Sequence, residues 1–221
     1  MKKVSVVLLM LALIWTSQAH AFGLGGLGSS GGGGSVDTGK LNERGAALIL
    51  KIGVATILMG DAQVEMLNAV GSEQSAQKLK AALDDLKAHK GDPEKTKVAI
   101  NATNDASKEL KEMDLNAKMD KSKANKAVAF AFLNFGGAAL LDGWAVKDGE
   151  ALLKSISDAG PSAAMSLRSA IEAAKFVAET LPGQISDMAA LSKSLIDYAT
   201  TNKIALPSQK DIDKKADDLK G

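Results

Sequence analysis

Residues Ala127 to Val146 read AVAFAFLNFGGAALLDGWAV, and this stretch decides the fold. Its twenty residues carry one charge, Asp142, and one other strongly polar side chain, Asn134. A second stretch of the same character, Gly45 to Gly60, has Lys51 as its one charge. A helix that is apolar on every side belongs at the centre of a helical assembly or in a membrane. The rest of the chain is rich in alanine, lysine and leucine, poor in proline, and almost without β-branched alternation. These features predict an all-α fold, a bundle of five or six helices built around the two apolar stretches as a central pair.

The first helix is expected from about Gly39 to Val70. Within it Gly45, Gly53 and Gly60 recur at offsets of eight and seven. At about 100° per residue they fall within about 80° of one another. Each costs about 1 kcal/mol of helix propensity relative to alanine. Repetition on one side predicts close approach of another backbone, and the expected partner is the Ala127–Val146 helix around Gly136 and Gly137. The alternative is a helix kinked or fragmented at these glycines.

Amphipathic segments flank the apolar pair. Ser72 to about His89 places Ala76, Leu79, Leu83 and Leu86 on a narrow stripe. Asp92 and Pro93 then supply an N-cap and a first helical residue. The helix they start, to about Met113, is expected to turn Val98, Ala102, Ala106, Leu110 and Met113 inward and to pair with its predecessor as a hairpin. The segment Asp120 to Gly160 follows, with Gly136-Gly137 and Gly143 as points of bending or breakage. Ser162–Thr180 and Gln184–Thr200 read as two short helices separated by Leu181-Pro182-Gly183. The tail from 206 to 221 reads as a short solvated helix or frayed end. The bundle domain is therefore expected over 39–205.

Ahead of the bundle, residues 1–21 have the pattern of a secretory signal peptide. Met1-Lys2-Lys3 is a basic start, Val4–Trp15 an uncharged apolar run, and Ala19-His20-Ala21 a small-residue cleavage site, so the cut falls between Ala21 and Phe22. A retained anchor is the alternative, but Val4–Trp15 is shorter than the roughly 20 residues of a span. Phe22 to Thr38 is glycine-rich and reads as a flexible leader. The G-x-G-x-x-G match at Gly23–Gly28 lacks the preceding strand and following helix that its phosphate-binding role needs.

Composition narrows the function. Taking Lys2 and Lys3 from the 27 basic residues leaves 25 against 26 acidic ones, which argues against a nucleic-acid binder. With no cysteine, neither a disulfide framework nor a lipid anchor at the cleavage point is available. The mature chain holds a single histidine, His89, whose only helical carboxylate neighbour is Asp85. One pair of that kind makes no metal site, and no cofactor is expected. Ser75-Ala76-Gln77-Lys78 matches Ser-x-x-Lys by count alone, on a polar face.

These readings converge on an exported, periplasmic or secreted, non-enzymatic helical protein: a binding, adaptor or scaffold protein with an unidentified protein partner. The main rival is a membrane-inserting or pore-forming protein that exposes Ala127–Val146, just long enough to span at about 30 Å. Asp142, Asn134 and the double glycine count against insertion, so membrane contact is not favoured. A weaker rival is a hydrolase without a recognisable motif. Under either of the first two readings, Phe130, Phe132, Phe135 and Trp144 are the candidate contact residues.

Overall fold

The computed structural model describes residues 37–219. The signal-peptide reading, the Ala21–Phe22 cleavage point and the leader up to Val36 lie outside the described residues. Those that are described form an all-α bundle of seven α-helices with no strand. In chain order they are α1 (Thr38–Ala69), α2 (Glu73–Ala88), α3 (Pro93–Glu112), α4 (Leu115–Lys118), α5 (Lys121–Ala159), α6 (Arg168–Asn202) and α7 (Gln209–Asp217). A 3-10 turn, Pro161–Ala163, lies between α5 and α6.

Helix boundaries follow local chemistry. Asp37 accepts from the Lys40 N–H at 3.1 Å and opens α1. Asp92 accepts from the N–H groups of Glu94 and Lys95 at 2.8 and 3.1 Å, with Pro93 as the first residue of α3. Gly71 and Gly91 follow the ends of α1 and α2 at φ of +83° and +86°, a left-handed conformation that a β-carbon disfavours. Helices α2 and α3, joined through Gly91, pack against each other.

The chain divides into two compact units, each drawn from separate sequence segments. Among the described residues, the first comprises 37–48 together with Gly143–Pro182. Its interior is built from Leu41, Leu48, Ala145, Leu152, Leu167, Ala174, Val177 and Leu181. The Asn42 side chain ties its parts together: Nδ2 donates to the Ser166 carbonyl at 2.8 Å, and Oδ1 accepts from the Ala170 N–H at 3.2 Å. The second unit comprises Ile49–Asp142 and residues 183–219. Its interior includes Ile52, Met59, Met66, Leu83, Phe132, Phe135, Leu141, Met188, Leu195 and Ile212.

Several expectations are corrected. Helix α5 runs unbroken through Gly136, Gly137 and Gly143, and α6 runs unbroken through Pro182, so two expected helices are one. Packing explains both: Leu181, Gln184 and Ile185 on either side of Pro182 are buried and hold the helix where local propensity alone would end it. Helix α3 is rotated from the expected face. Val98 is 54 % exposed, while Thr96, Ala99, Ile100, Thr103, Ala106, Ser107 and Leu110 face inward. The tail is part of the second unit. Ser208 and Asp211 form a reciprocal capping box that starts α7, and Ile212 and Ala216, one turn apart, are buried.

The glycines of α1 also meet partners other than α5. A β-carbon at Gly45 would lie 3.0 Å from Ala170 Cα of α6. At Gly60 it would lie 2.6 Å from Leu83 Cδ2 of α2, and at Gly53 it would make ordinary contact with Thr96 and Leu86. The three residues share one side of α1, but different helices cover that side along its length. On α5, Gly136 admits Ile212 of α7, and Gly137 lies against Lys215 of α7 and Leu58 of α1. Leu58 is thus where the two apolar helices meet at a glycine.

Candidate functional site

Two features of the second unit are unusual for an apolar core. The first is a set of buried uncharged polar groups. Gln63 of α1 donates through Nε2 to the Thr103 carbonyl at 3.0 Å and to Ser107 Oγ at 2.7 Å, both on α3. Gln184 of α6 donates through Nε2 to Thr56 Oγ1 of α1 at 3.0 Å. Two glutamines thereby tie α1 to two different helices. Thr103 Oγ1 donates back to the Ile100 carbonyl at 2.8 Å, a bond internal to α3. Both glutamine Oε1 atoms lack a hydrogen-bond partner among the described residues. Such an unmet buried acceptor typically costs about 1–3 kcal/mol.

Asp142 is the extreme member of this set. It is 1 % exposed, and neither carboxylate oxygen has a hydrogen-bond partner among the described residues. Burial alone pushes its pKa well above the ordinary 3.8, because the charged form would lose its hydration without compensation. Asn134, two turns earlier on α5, meets its need internally, donating through Nδ2 to the Phe130 carbonyl at 2.9 Å.

The second feature is the outward side of the two apolar helices. Helices α1 and α5 are long and apolar enough to cross a membrane by length and composition, and 61 % of the most apolar window of each is buried. Part of what stays at the surface is also apolar. On α1, Leu50 is exposed, and Val54 and Ile57 are half-buried one and two turns on. On α5, Phe130 is 37 % exposed, with Leu133 and Leu140 half-buried along the same side.

Of the candidate contact residues, Phe130 therefore lies on the surface. Trp144, in the first unit, is half-buried. Phe132 and Phe135 are interior, so neither is available to a partner in this conformation. His89 ends α2 in the open, with Nδ1 3.1 Å from Asp85 Oδ1, and Asp85 also pairs with Lys95 at 2.9 Å. The Lys95 bond is the main reason that the Asp85 pKa is lowered, with His89 adding to it. No group of three or more His, Cys, Asp or Glu side chains that could hold a metal occurs among the described residues. Ser75 is half-buried and Lys78 exposed in the first turns of α2.

The paired glutamines were not anticipated from the sequence. For Gln63 alone a signal exists, the spacing of Thr96, Thr103 and Ser107, seven and four apart, which forms a hydroxyl stripe on α3, whereas Gln184 bonds Thr56 of α1. Compared with known proteins, the chain matches no family model, no curated protein and no solved structure.

Proposed function

We propose that this chain is an exported, non-enzymatic helical binding protein, an adaptor or scaffold that works in the periplasm or outside the cell by engaging a protein partner. The observation that carries the proposal is the apolar outer side of α5, where Phe130 stands exposed beside half-buried Leu133 and Leu140. Apolar groups aligned on one helix side are the usual anchors of helix-mediated recognition. Export rests on the Met1–Ala21 pattern.

Phe130→Asp tests the reading, since it places a charge in the proposed contact and leaves Phe132 and Phe135 untouched. A protein that crosslinks to the wild-type chain in a periplasmic extract should be lost with this variant while the melting temperature stays unchanged. Unaltered crosslinking would remove the α5 side as the contact. The same apolar sides of α1 and α5 favour one rival, insertion into a bilayer. Rapid dye release from anionic or neutral liposomes at low protein concentration would establish that rival and overturn the proposal.

A further inference from the structure

We propose that Met165 is the oxidant-accepting methionine of this chain, a modification site at which the sulfoxide forms ahead of every other described methionine. The side chain is 94 % exposed. Met59, Met66 and Met188 are fully buried, Met119 is 5 % exposed, and Met113 is half-buried. Oxygen transfer to a thioether requires the oxidant to reach a sulfur lone pair, so accessibility orders the reaction.

The segment that carries Met165 is pinned. Gly160 ends α5 at a φ of +76°, and Pro161–Ala163 form the 3-10 turn. The Ala164 N–H bonds to the Pro161 carbonyl at 3.2 Å, and the Leu167 N–H to the Ala163 carbonyl at 3.0 Å. On the far side of Met165, Asn42 holds the Ser166 carbonyl, and Leu167 is buried as an anchor. The backbone is thus fastened on both sides of an apolar residue whose side chain is almost wholly exposed. Its neighbours Ala164 and Ser166 are also exposed, so no bulky side chain shields the sulfur.

The step is a two-electron transfer with a peroxide as oxidant. The sulfur lone pair attacks the distal peroxide oxygen, the O–O bond breaks, and an S–O bond forms. Sulfur is oxidised by two electrons and hydrogen peroxide is reduced to water. The same change at Met59, Met66 or Met188 would place a polar group in the core, whereas at Met165 it meets solvent alone. Oxidation at this turn therefore marks the protein without loosening it and leaves the sulfoxide open to enzymatic reduction.

The test treats the full folded chain with hydrogen peroxide and follows each methionine-containing peptide by mass spectrometry, beside the volume-conserving Met165→Leu variant. The Met165 peptide should gain one oxygen before those of Met59, Met66, Met113, Met119 and Met188, by the accessibility ordering. The singly oxidised protein should melt where the untreated protein melts, and Met165→Leu should lose the fast phase. Oxidation of any of the other five at a comparable rate, a fast phase that persists in the variant, or a melting temperature that falls with the first oxygen would each overturn the proposal.

Discussion

Replacing Asp142 with asparagine keeps the shape of the side chain and removes its proton equilibrium. In the folded chain burial holds the carboxyl well above its ordinary pKa of 3.8; in the unfolded chain it returns to that value. Well below pH 3.8 both states are protonated, and ionisation of the group imposes no penalty on folding. As the pH rises past that point, the unfolded chain releases the proton and the folded chain keeps it. Stability then falls by about 1.4 kcal/mol per pH unit until the pH reaches the folded pKa, where the loss levels off. Asparagine does not titrate, so Asp142→Asn lacks this slope. Urea denaturation at steps from pH 4 to pH 7 should show the variant gaining on the wild type as the pH rises, by up to about 1.4 kcal/mol per unit. Asp37, Asp84, Asp85, Asp120 and Asp211 have lowered pKa values and act with the opposite sign, but they are common to both proteins and cancel in the difference. Parallel stability curves would refute the claim that Asp142 is buried and uncharged in the folded chain.

Gly143→Ala and Gly45→Ala should move stability in opposite directions. Apart from its chain neighbours and the backbone of its own helix, nothing among the described residues lies within 4 Å of where a β-carbon at Gly143 would be, so that variant gains helix propensity, about 1 kcal/mol. A β-carbon at Gly45 meets Ala170 backbone, which cannot step aside, and overpacking of about 1–3 kcal/mol should exceed the same gain. Thermal unfolding reads both, and equal signs would contradict the packing described. Ile212→Ala should cost about 2–5 kcal/mol by chemical denaturation if α7 belongs to the core, and a loss below about 0.5 kcal/mol would return the tail to a solvated end. Pro182→Ala should stabilise by up to about 3 kcal/mol by restoring a backbone donor inside α6; a destabilised variant would mean that the proline shapes the helix instead of being tolerated by it.

Where a residue acts through its immediate neighbours, the sequence was readable. Asp92 with Pro93 marks the start of α3, and the Ala76, Leu79, Leu83 and Leu86 stripe of α2 is buried as its spacing implies. Features that depend on distant packing were not readable. Pro182 interrupts the local pattern yet lies within a helix held by Leu181 and Ile185. The inward face of α3 is set by Gln63, a residue of another helix that takes Thr103 and Ser107 as partners and so turns an apparently polar side to the interior. The three glycines of α1 share an angular position, but an angle on one helix does not say which neighbour lies there. Of the contact candidates, the aromatic cluster was visible as composition, and the division between exposed Phe130 and interior Phe132 and Phe135 required the neighbouring helices.

The order in which the polypeptide can acquire structure follows from the Asn42 bridge. Its two partners, Ser166 and Ala170, lie 124 and 128 residues downstream. The opening turns of α1 therefore wait, as the chain is made, for more than half of the protein to follow before their own unit can close. Contacts of such long range carry loop-closure entropy that must be met before they contribute, and they slow folding. The α2–α3 hairpin carries no such delay and can assemble as soon as Glu112 is free. The opening turns of α1 can thus close on their partners only after Ala170 has been made, long after the α2–α3 hairpin has its whole sequence.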